Sequence, residues 1–282
     1  VTLASNNSTR TGAITVNGGV LTLAGDNSAA SSVTVNRAAE LNLDFAAPTA
    51  PTSNILNSAG SLTVNSGTLN MTGRDGSLSS QAVASTTVGG LTRVNVASGE
   101  AGSAVLDLGA ISRRPASAVV FTLPEGEQNA SNGVRTSNTA TNGLLGPWAI
   151  VRGEGDAAPG AAGGYTFAGI RDGNIVPYTD AIVMETIQGQ TVSSSSNYDV
   201  TLASGTSNTN ATPSVNTLRF LNTGTVTYTN TGNGRLTANA IMAAGTGAVN
   251  LNGAGTRAGS SNELLLIAAS APINVGGPLI DN

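Results

Sequence analysis

One strand–turn–strand phrase recurs along the chain and constrains its fold more than any other feature. Residues 14–25 alternate apolar and polar side chains on both sides of an Asn-Gly-Gly turn, and residues 62–73 repeat this pattern position by position. A degenerate copy spans residues 33–43. The alternation predicts β-strands with one buried face, and the glycine-rich turn predicts a corner with positive φ.

The spacing of the copies predicts a solenoid. A Val-Asn pair marks the phrase at Val16, Val35, Val64 and Val94, which gives spacings of 19, 29 and 30 residues. Looser versions begin at Val215, Val249 and Ile273. Repeats of this length with variable loops are typical of stacked coils. The sequence therefore predicts an all-β parallel β-helix, or β-solenoid, with irregular wider coils or insertions in its middle.

Equivalent apolar positions in three copies predict the core. In a coil of this kind, alternate residues of each strand face inward and stack on their equivalents one coil away. Polar residues at the intervening positions, above all Asn and Thr, are expected to form hydrogen-bonded ladders. The predicted inward stacks consist of Val16, Leu21, Leu23, Val35, Leu41, Leu43, Val64, Leu69 and Met71.

We expect three segments of one solenoid. Residues 1–101 carry the regular phrase, residues 102–190 carry most of the large side chains and are expected to form wider coils or inserted loops, and residues 191–282 continue the stack. No charge run or proline-rich linker marks a boundary between them.

The composition argues against most enzyme classes. Gly, Ser, Thr and Asn supply 129 of the 282 residues, and His, Cys and Lys do not occur. The usual neutral-pH base, thiol nucleophile, reactive amine and transition-metal ligands are therefore missing. With a net charge of −4 and no basic stripe, the chain is not expected to bind nucleic acid. No apolar run reaches about 18 residues, so this segment is not expected to be embedded in a membrane.

The phrase resembles a known repeat family. Residues 15–23, followed by Gly25-Asp26-Asn27, are similar to the autotransporter-associated β-strand repeat of bacterial passenger-type surface proteins. Residues 102–111, 120–124 and 143–151 are similar to a larger module of very long repeat proteins of that kind. Such proteins also tend to carry segments like residues 262–266 and 271–275. The resemblance implies a right-handed parallel β-helix at the bacterial cell surface, and with Val1 as first residue we expect a segment of a longer polypeptide. It implies no catalytic motif.

Carboxylates in three loops are the candidates for catalysis or metal binding. Glu125 with Glu127, Glu154 with Asp156, and Asp172 beside Arg171 have the residue types needed for glycoside cleavage. Pairs at this spacing in glycine-rich loops are typical of solvated turns, so we expect neither an enzyme nor a resident cofactor. Ca²⁺ is the one metal whose ligand chemistry the composition allows, and turns at Asp26-Asn27, Asp75-Gly76, residues 154–156 and residues 172–174 offer oxygen ligands.

Five larger side chains are the candidates for an interaction surface. Arg113 and Arg114 form the only basic doublet, while Trp148, Tyr165 and Arg171 could build a sugar-binding groove. We expect a structural role in which the chain self-associates with copies or adjacent segments of the same long protein, as part of a fibre, sheath or array. An adhesin or glycan-binding module is the alternative, and a polysaccharide-active β-helical enzyme is the third hypothesis.

Overall fold

The chain folds as a β-solenoid, which confirms the predicted fold class. A computed structural model describes residues 1–153, 164–209, 211–231, 234–253 and 255–280, and within these ranges it is all-β with no helix. The chain divides into two compact units. The first comprises Val1–Ala140, Ala149–Val151 and Ile170–Val176, and the second comprises Thr141–Trp148, Arg152–Gly169 and Pro177–Asn282.

Short strands separated by turns make up the chain. Up to residue 153 they are β1 (Thr2–Leu3), β2 (Ile14–Val16), β3 (Gly19–Leu23), β4 (Ser32–Val35), β5 (Ala39–Asp44), β6 (Ser61–Asn65), β7 (Thr68–Thr72), β8 (Leu78–Ala82), β9 (Ser85–Gly89), β10 (Leu91–Ala97), β11 (Ser103–Asp107), β12 (Ala110–Arg113), β13 (Ala118–Thr122), β14 (Gly133–Arg135) and β15 (Ala149–Arg152).

The later strands are also short and separated by turns. They are β16 (Tyr165–Arg171), β17 (Asn174–Pro177), β18 (Ile182–Met184), β19 (Asn197–Val200), β20 (Gly205–Thr209), β21 (Ser214–Phe220), β22 (Val226–Asn230), β23 (Leu236–Ala243), β24 (Val249–Gly253), β25 (Thr256–Ala258), β26 (Leu265–Ala268), β27 (Ile273–Val275) and β28 (Leu279–Ile280).

Equivalent strands of successive coils pair in parallel and in register. In the first unit the strand orders are β1-β3-β5-β7-β10-β13, β2-β4-β6-β9-β12 and β8-β11-β14. In the second unit β18-β19-β21-β23 form one sheet together with β25, β26 and β28, and β20-β22-β24-β27 form another. β14 and β17 pair in the antiparallel direction, with Arg135 opposite Asn174.

The repeated phrase builds two columns of stacked side chains on β3, β5, β7 and β10. Leu21, Leu41, Leu69 and Val94 form one column, and Leu23, Leu43, Met71 and Val96 form the other. All of these side chains are buried except that of Leu21, which is half-buried. β1 pairs only with Thr22 and Leu23, so Leu21 lies beyond its end.

The Val-Asn marker of the fourth copy lies in a different column from the markers of the first three copies. Val16, Val35 and Val64 stack in register on β2, β4 and β6, but the next member of this column is Val88 on β9. Val94 instead pairs with Leu69 in the other sheet. The Val-Asn marker misleads because both sheets carry an apolar residue followed by Asn, with Asn95 opposite Asn70. At the corner of the first copy, Gly19 has a φ of 67°, in agreement with the predicted positive-φ turn.

The second unit has a core of its own. Tyr198, Leu218 and Ile241 occupy successive strands of one sheet, and Val226 with Val249 face them from the other. Every residue of β23 is buried, so this strand is covered on both of its faces. The sequence of a strand that is buried on both faces is a continuous run of apolar and small residues and does not alternate with polar ones. The repeated phrase is therefore weaker in the second unit.

Truncation of a stacked leucine tests the register of the first unit. Leu69 is fully buried between Leu41 and Val94, so Leu69→Ala leaves a cavity that its neighbours cannot fill. We expect it to lower the free energy of unfolding by about 2–5 kcal/mol in chemical denaturation. Leu91→Ala is the matched control, because Leu91 is 44% exposed and should cost no more than about 0.5 kcal/mol. Equal losses for both variants would contradict the assigned register.

Candidate functional site

The three arginines of the predicted interaction surface lie in the first unit. Arg113 is the last residue of β12 and donates a hydrogen bond from its guanidinium to the carbonyl of Ser117 at 3.1 Å. Arg114 and Arg171 are exposed. Arg113 is thus held at a corner of the coil, whereas the other two guanidinium groups face solvent.

The two aromatic residues of the predicted groove lie in the second unit. Trp148 and Tyr165 are both half-buried. The indole of Trp148 packs against Gly146, since a Cβ at that glycine would meet the indole Nε1 at 2.2 Å. The main-chain carbonyl of Tyr165 accepts a hydrogen bond from Arg219 at 3.2 Å. A single groove formed by Trp148, Tyr165 and Arg171 stays a prediction.

The candidate carboxylates occupy turns. Glu125, Glu127 and Asp172 are exposed, and the side-chain carboxylate of Asp26 accepts a hydrogen bond from the backbone N–H of Ser28 at 2.8 Å within its own turn. The pair Glu154 and Asp156 lies outside the described residues. Within the described ranges no three acidic side chains come together to hold a metal ion.

A small polar space beside Gly133 was not anticipated from the sequence. A Cβ at this glycine would lie 3.0 Å from Gln128 Oε1, 3.5 Å from Asn174 Oδ1 and 3.7 Å from the carbonyl of Asn129. The amide nitrogens of Gln128 and Asn174 donate to main-chain carbonyls, which fixes the two side-chain oxygens toward this space. Neither oxygen has a partner among the described residues.

Among the residues that the structure describes, asparagine side chains connect the coils in four ladders. Each amide nitrogen donates to the amide oxygen of the preceding coil, at 2.7–3.2 Å. This common direction gives every ladder a donor end toward the N-terminal side of the stack and an acceptor end toward the C-terminal side. The ladders consist of Asn17, Asn36 and Asn65; Asn42, Asn70 and Asn95; Asn197, Asn216 and Asn239; and Asn250 and Asn274.

Asn70 occupies the middle of its ladder. Its nitrogen donates to Asn42 Oδ1 and to Glu40 Oε1, both at 2.8 Å, and its oxygen accepts from Asn95 Nδ2 at 2.8 Å. All three partners belong to the neighbouring coils. The ladder therefore favours one vertical alignment of the strands, because a slip of one residue would break these bonds together.

Removal of the central amide tests the ladder. Asn70→Ala leaves the amides of Asn42 and Asn95 without their partner, and we expect a loss of about 1–3 kcal/mol in the free energy of unfolding. The control is Thr72→Ala at the exposed end of the same strand, which should stay within about 0.5 kcal/mol of the parent chain. Two indistinguishable denaturation curves would show that the ladder does not contribute to stability.

A buried ion pair in the second unit was missed by the sequence analysis. Asp199 and Arg219 lie opposite each other on β19 and β21 and are 6% and 3% exposed. Both oxygens of the carboxylate bind the guanidinium, with 2.9 Å between Arg219 Nε and Asp199 Oδ1. A bidentate pair of this kind satisfies charges that would be costly to bury alone. The two residues occupy equivalent positions in adjacent strands. This equivalence is known only once the register of the strands is known, so the sequence alone could not have identified the pair.

Breaking this pair tests whether it is needed for folding of the second unit. Arg219→Met leaves the Asp199 carboxylate buried without its partner, so we expect a loss of about 3–5 kcal/mol in the free energy of unfolding. The double variant Asp199→Leu/Arg219→Met removes both charges and should recover most of that loss. A double variant as unstable as the single one would mean that the pair itself, rather than an unpaired charge, decides the stability.

The core of the second unit also holds polar groups. Burial raises the pKa of the Tyr228 hydroxyl above its ordinary value, and this hydroxyl has no partner among the described residues. Asn230, two residues later on the same inward face of β22, is buried as well. Burial of a polar side chain without a hydrogen-bond partner lowers the stability of the core, and it does not indicate a catalytic role.

A cleft in the second unit is lined in part by residues with hydroxyl side chains. Its volume is about 640 Å³, and it lies between residues 187–194 and 211–214. The hydroxyls belong to Thr191, Ser193, Ser194, Thr212 and Ser214. No residue of the predicted interaction surface lines it, and its described lining contains no charged or aromatic side chain.

Comparisons with known proteins assign no relative. No family model, curated protein or solved structure matches the chain. Among the described residues, no helix has the length and apolar character needed to span a membrane.

Proposed function

We propose that this chain is a structural, extracellular β-solenoid segment of a long bacterial surface protein. It contributes a rigid, protease-resistant stretch to a fibre, sheath or array that forms by self-association. The observation that carries the proposal is the continuity of bonding from coil to coil. In the first unit, parallel backbone pairing and the asparagine ladders join each coil to the next, as the proposed stiffness of the stack requires.

The bonding of the basic side chains supports protease resistance. The chain has 12 basic residues, all of them Arg, so trypsin-like proteases have few sites. Arg74 donates to the carbonyls of Phe45, Ala47 and Ala50 at 2.8–3.2 Å, and Arg219 is buried in its ion pair. Cleavage at these two residues requires local unfolding, because a protease must extend the chain around the bond it cuts.

Exposed apolar side chains support self-association. Val20, Leu91 and Leu279 are at least 44% exposed, and the neighbours Ile182 and Val183 are more than half exposed. Side chains of this kind gain from burial against another protein surface. We place lateral contacts at residues 102–190, where Arg113, Arg114, Trp148, Tyr165 and Arg171 lie.

A glycan-binding adhesin is the second candidate. The hydroxyl-lined cleft favours it, because Ser and Thr side chains can exchange hydrogen bonds with a polar ligand such as a sugar. An adhesin of this type would display its binding surface on the same solenoid. The two hypotheses therefore share the fold, and only the adhesin hypothesis requires the chain to bind a glycan.

Electron imaging of the purified chain at near-neutral pH tests the proposed function. We expect ordered filaments or sheets, with a repeat of about 4.8 Å along the stack from the spacing of paired strands. Heated and chemically unfolded samples provide the control for nonspecific aggregates. Dispersed single particles at every concentration would contradict self-association and would make glycan-binding screens the next step.

A further inference from the structure

The paired strands β3, β5, β7, β10 and β13 give the first unit two opposite edges. Each strand begins at one corner of its coil and ends at another. Backbone hydrogen bonds join successive corners on both sides, from Ala38 to Ser66 before the strands and from Gly73 to Ala97 after them. The entry row, before the strands, consists of residues 17–18, 36–38, 66–67, 89–90 and 114–117. The exit row, after them, consists of residues 24–26, 44–46, 73–76, 97–100 and 123–127.

The exit row is acidic, with at least one carboxylate at each of its corners. Its carboxylates belong to Asp26, Asp44, Asp75, Glu100, Glu125 and Glu127. The first two residues are half-buried and the other four are exposed. None of the six forms an ion pair within the described part of the chain. The basic residue of this row, Arg74, donates its hydrogen bonds to main-chain carbonyls of the same molecule. The exit row is therefore available to cations of another molecule.

The entry row carries the opposite charge. It contains Arg37 and Arg114 and no acidic residue. Both arginines are exposed, and their guanidinium groups have no partner among the residues that the structure describes. Arg113, the last residue of β12, adds a third cation next to this row. The nearest carboxylate in the sequence, that of Glu40 in β5, accepts a hydrogen bond from an asparagine of the adjacent strand. The entry row is therefore complementary in charge to the exit row.

The charges of the two rows also match in their spacing along the stack. Arg37 and Asp44 lie at the two ends of β5, and Arg114 and Glu125 lie beyond the two ends of β13. In the order β5-β7-β10-β13 these two strands are three pairing steps apart, which corresponds to about 14 Å. A second copy that is displaced sideways, with no shift along the stack, therefore brings both arginines to the level of carboxylates at the same time.

The charge difference between the rows selects the relative direction of two copies. Two copies that are related by a sideways translation place the entry row of one against the exit row of the other, so that unlike charges meet. If one copy is turned end over end in the plane of this sheet, the exit row of one copy lies against the exit row of the other. Six carboxylates would then face six carboxylates, and like charges in contact are unfavourable. The parallel arrangement is therefore favoured.

We propose that copies of this chain pack side by side and in parallel, with the entry row of one copy against the exit row of the next. Arg37 then faces Asp44 of the second copy, and Arg114 faces Glu125 and Glu127 of that copy. The contact uses two different surfaces of each copy, so it continues from copy to copy. It lies along the sides of the coils and does not depend on what precedes or follows them in the chain. The inference rests on the proposed self-association and names the surfaces that make it.

A charge swap tests the contact by sedimentation at low ionic strength. Arg114→Glu makes this part of the entry row acidic, and Glu125→Arg/Glu127→Arg makes the corresponding part of the exit row basic. We expect each variant alone to self-associate about tenfold more weakly than the parent chain, because like charges then meet. An equimolar mixture of the two variants should regain the association, since unlike charges meet again between unlike copies. Recovery in the mixture also shows that both variants are folded.

The matched control is Arg171→Glu, which changes the net charge as Arg114→Glu does but at an exposed residue outside both rows, and it should associate like the parent chain. Association of the parent chain should also weaken between about 0.1 M and about 1 M salt, because the Debye length falls from about 10 Å to about 3 Å. If Arg114→Glu associates as strongly as the control, or if the mixture stays dispersed, this inference is overturned and the proposed function stands. A parent chain that stays monomeric at all concentrations would overturn both.

Discussion

The in-register pairing of successive coils is the interaction on which the rest of this structure depends. Each strand is short, and its inward residues are buried only because equivalent residues lie one coil before and one coil after them, as Leu69 does between Leu41 and Val94. A coil taken alone would leave these side chains in water and its backbone groups unpaired. Stability is therefore shared between neighbours, and a chain with few aromatic residues can still form a core.

Polar side chains fix the register that the apolar columns leave open. A column of Leu and Val side chains tolerates small shifts, whereas the amide of Asn70 binds specific atoms of Asn42 and Asn95. In the second unit the Asp199–Arg219 ion pair also fixes the register, because the two charges meet only when β19 and β21 lie in their observed alignment.

Much of the first unit could be predicted from the sequence because its strands alternate and its turns carry glycine. The Val-Asn marker does not separate the two sheets, because the column of Val64 continues at Val88, which Gly89 rather than Asn follows, while Val94 lies opposite Leu69 in the other sheet. The Asp199–Arg219 pair depends on a contact between residues 20 positions apart, and the space beside Gly133 depends on the approach of Asn174, 41 positions further along the chain. Only the register and the loop conformations bring these residues together.

The most direct test of the stacked register is the set of contacts between leucine and valine methyl groups, measured by nuclear Overhauser effects in a methyl-labelled sample. Equivalent positions of adjacent coils lie about 4.8 Å apart, so the account predicts strong cross-peaks from Leu69 to Leu41 and to Val94. It also predicts cross-peaks from Val64 to Val35 and to Val88. Cross-peaks confined to residues near one another in the sequence, with none between these positions, would contradict the solenoid.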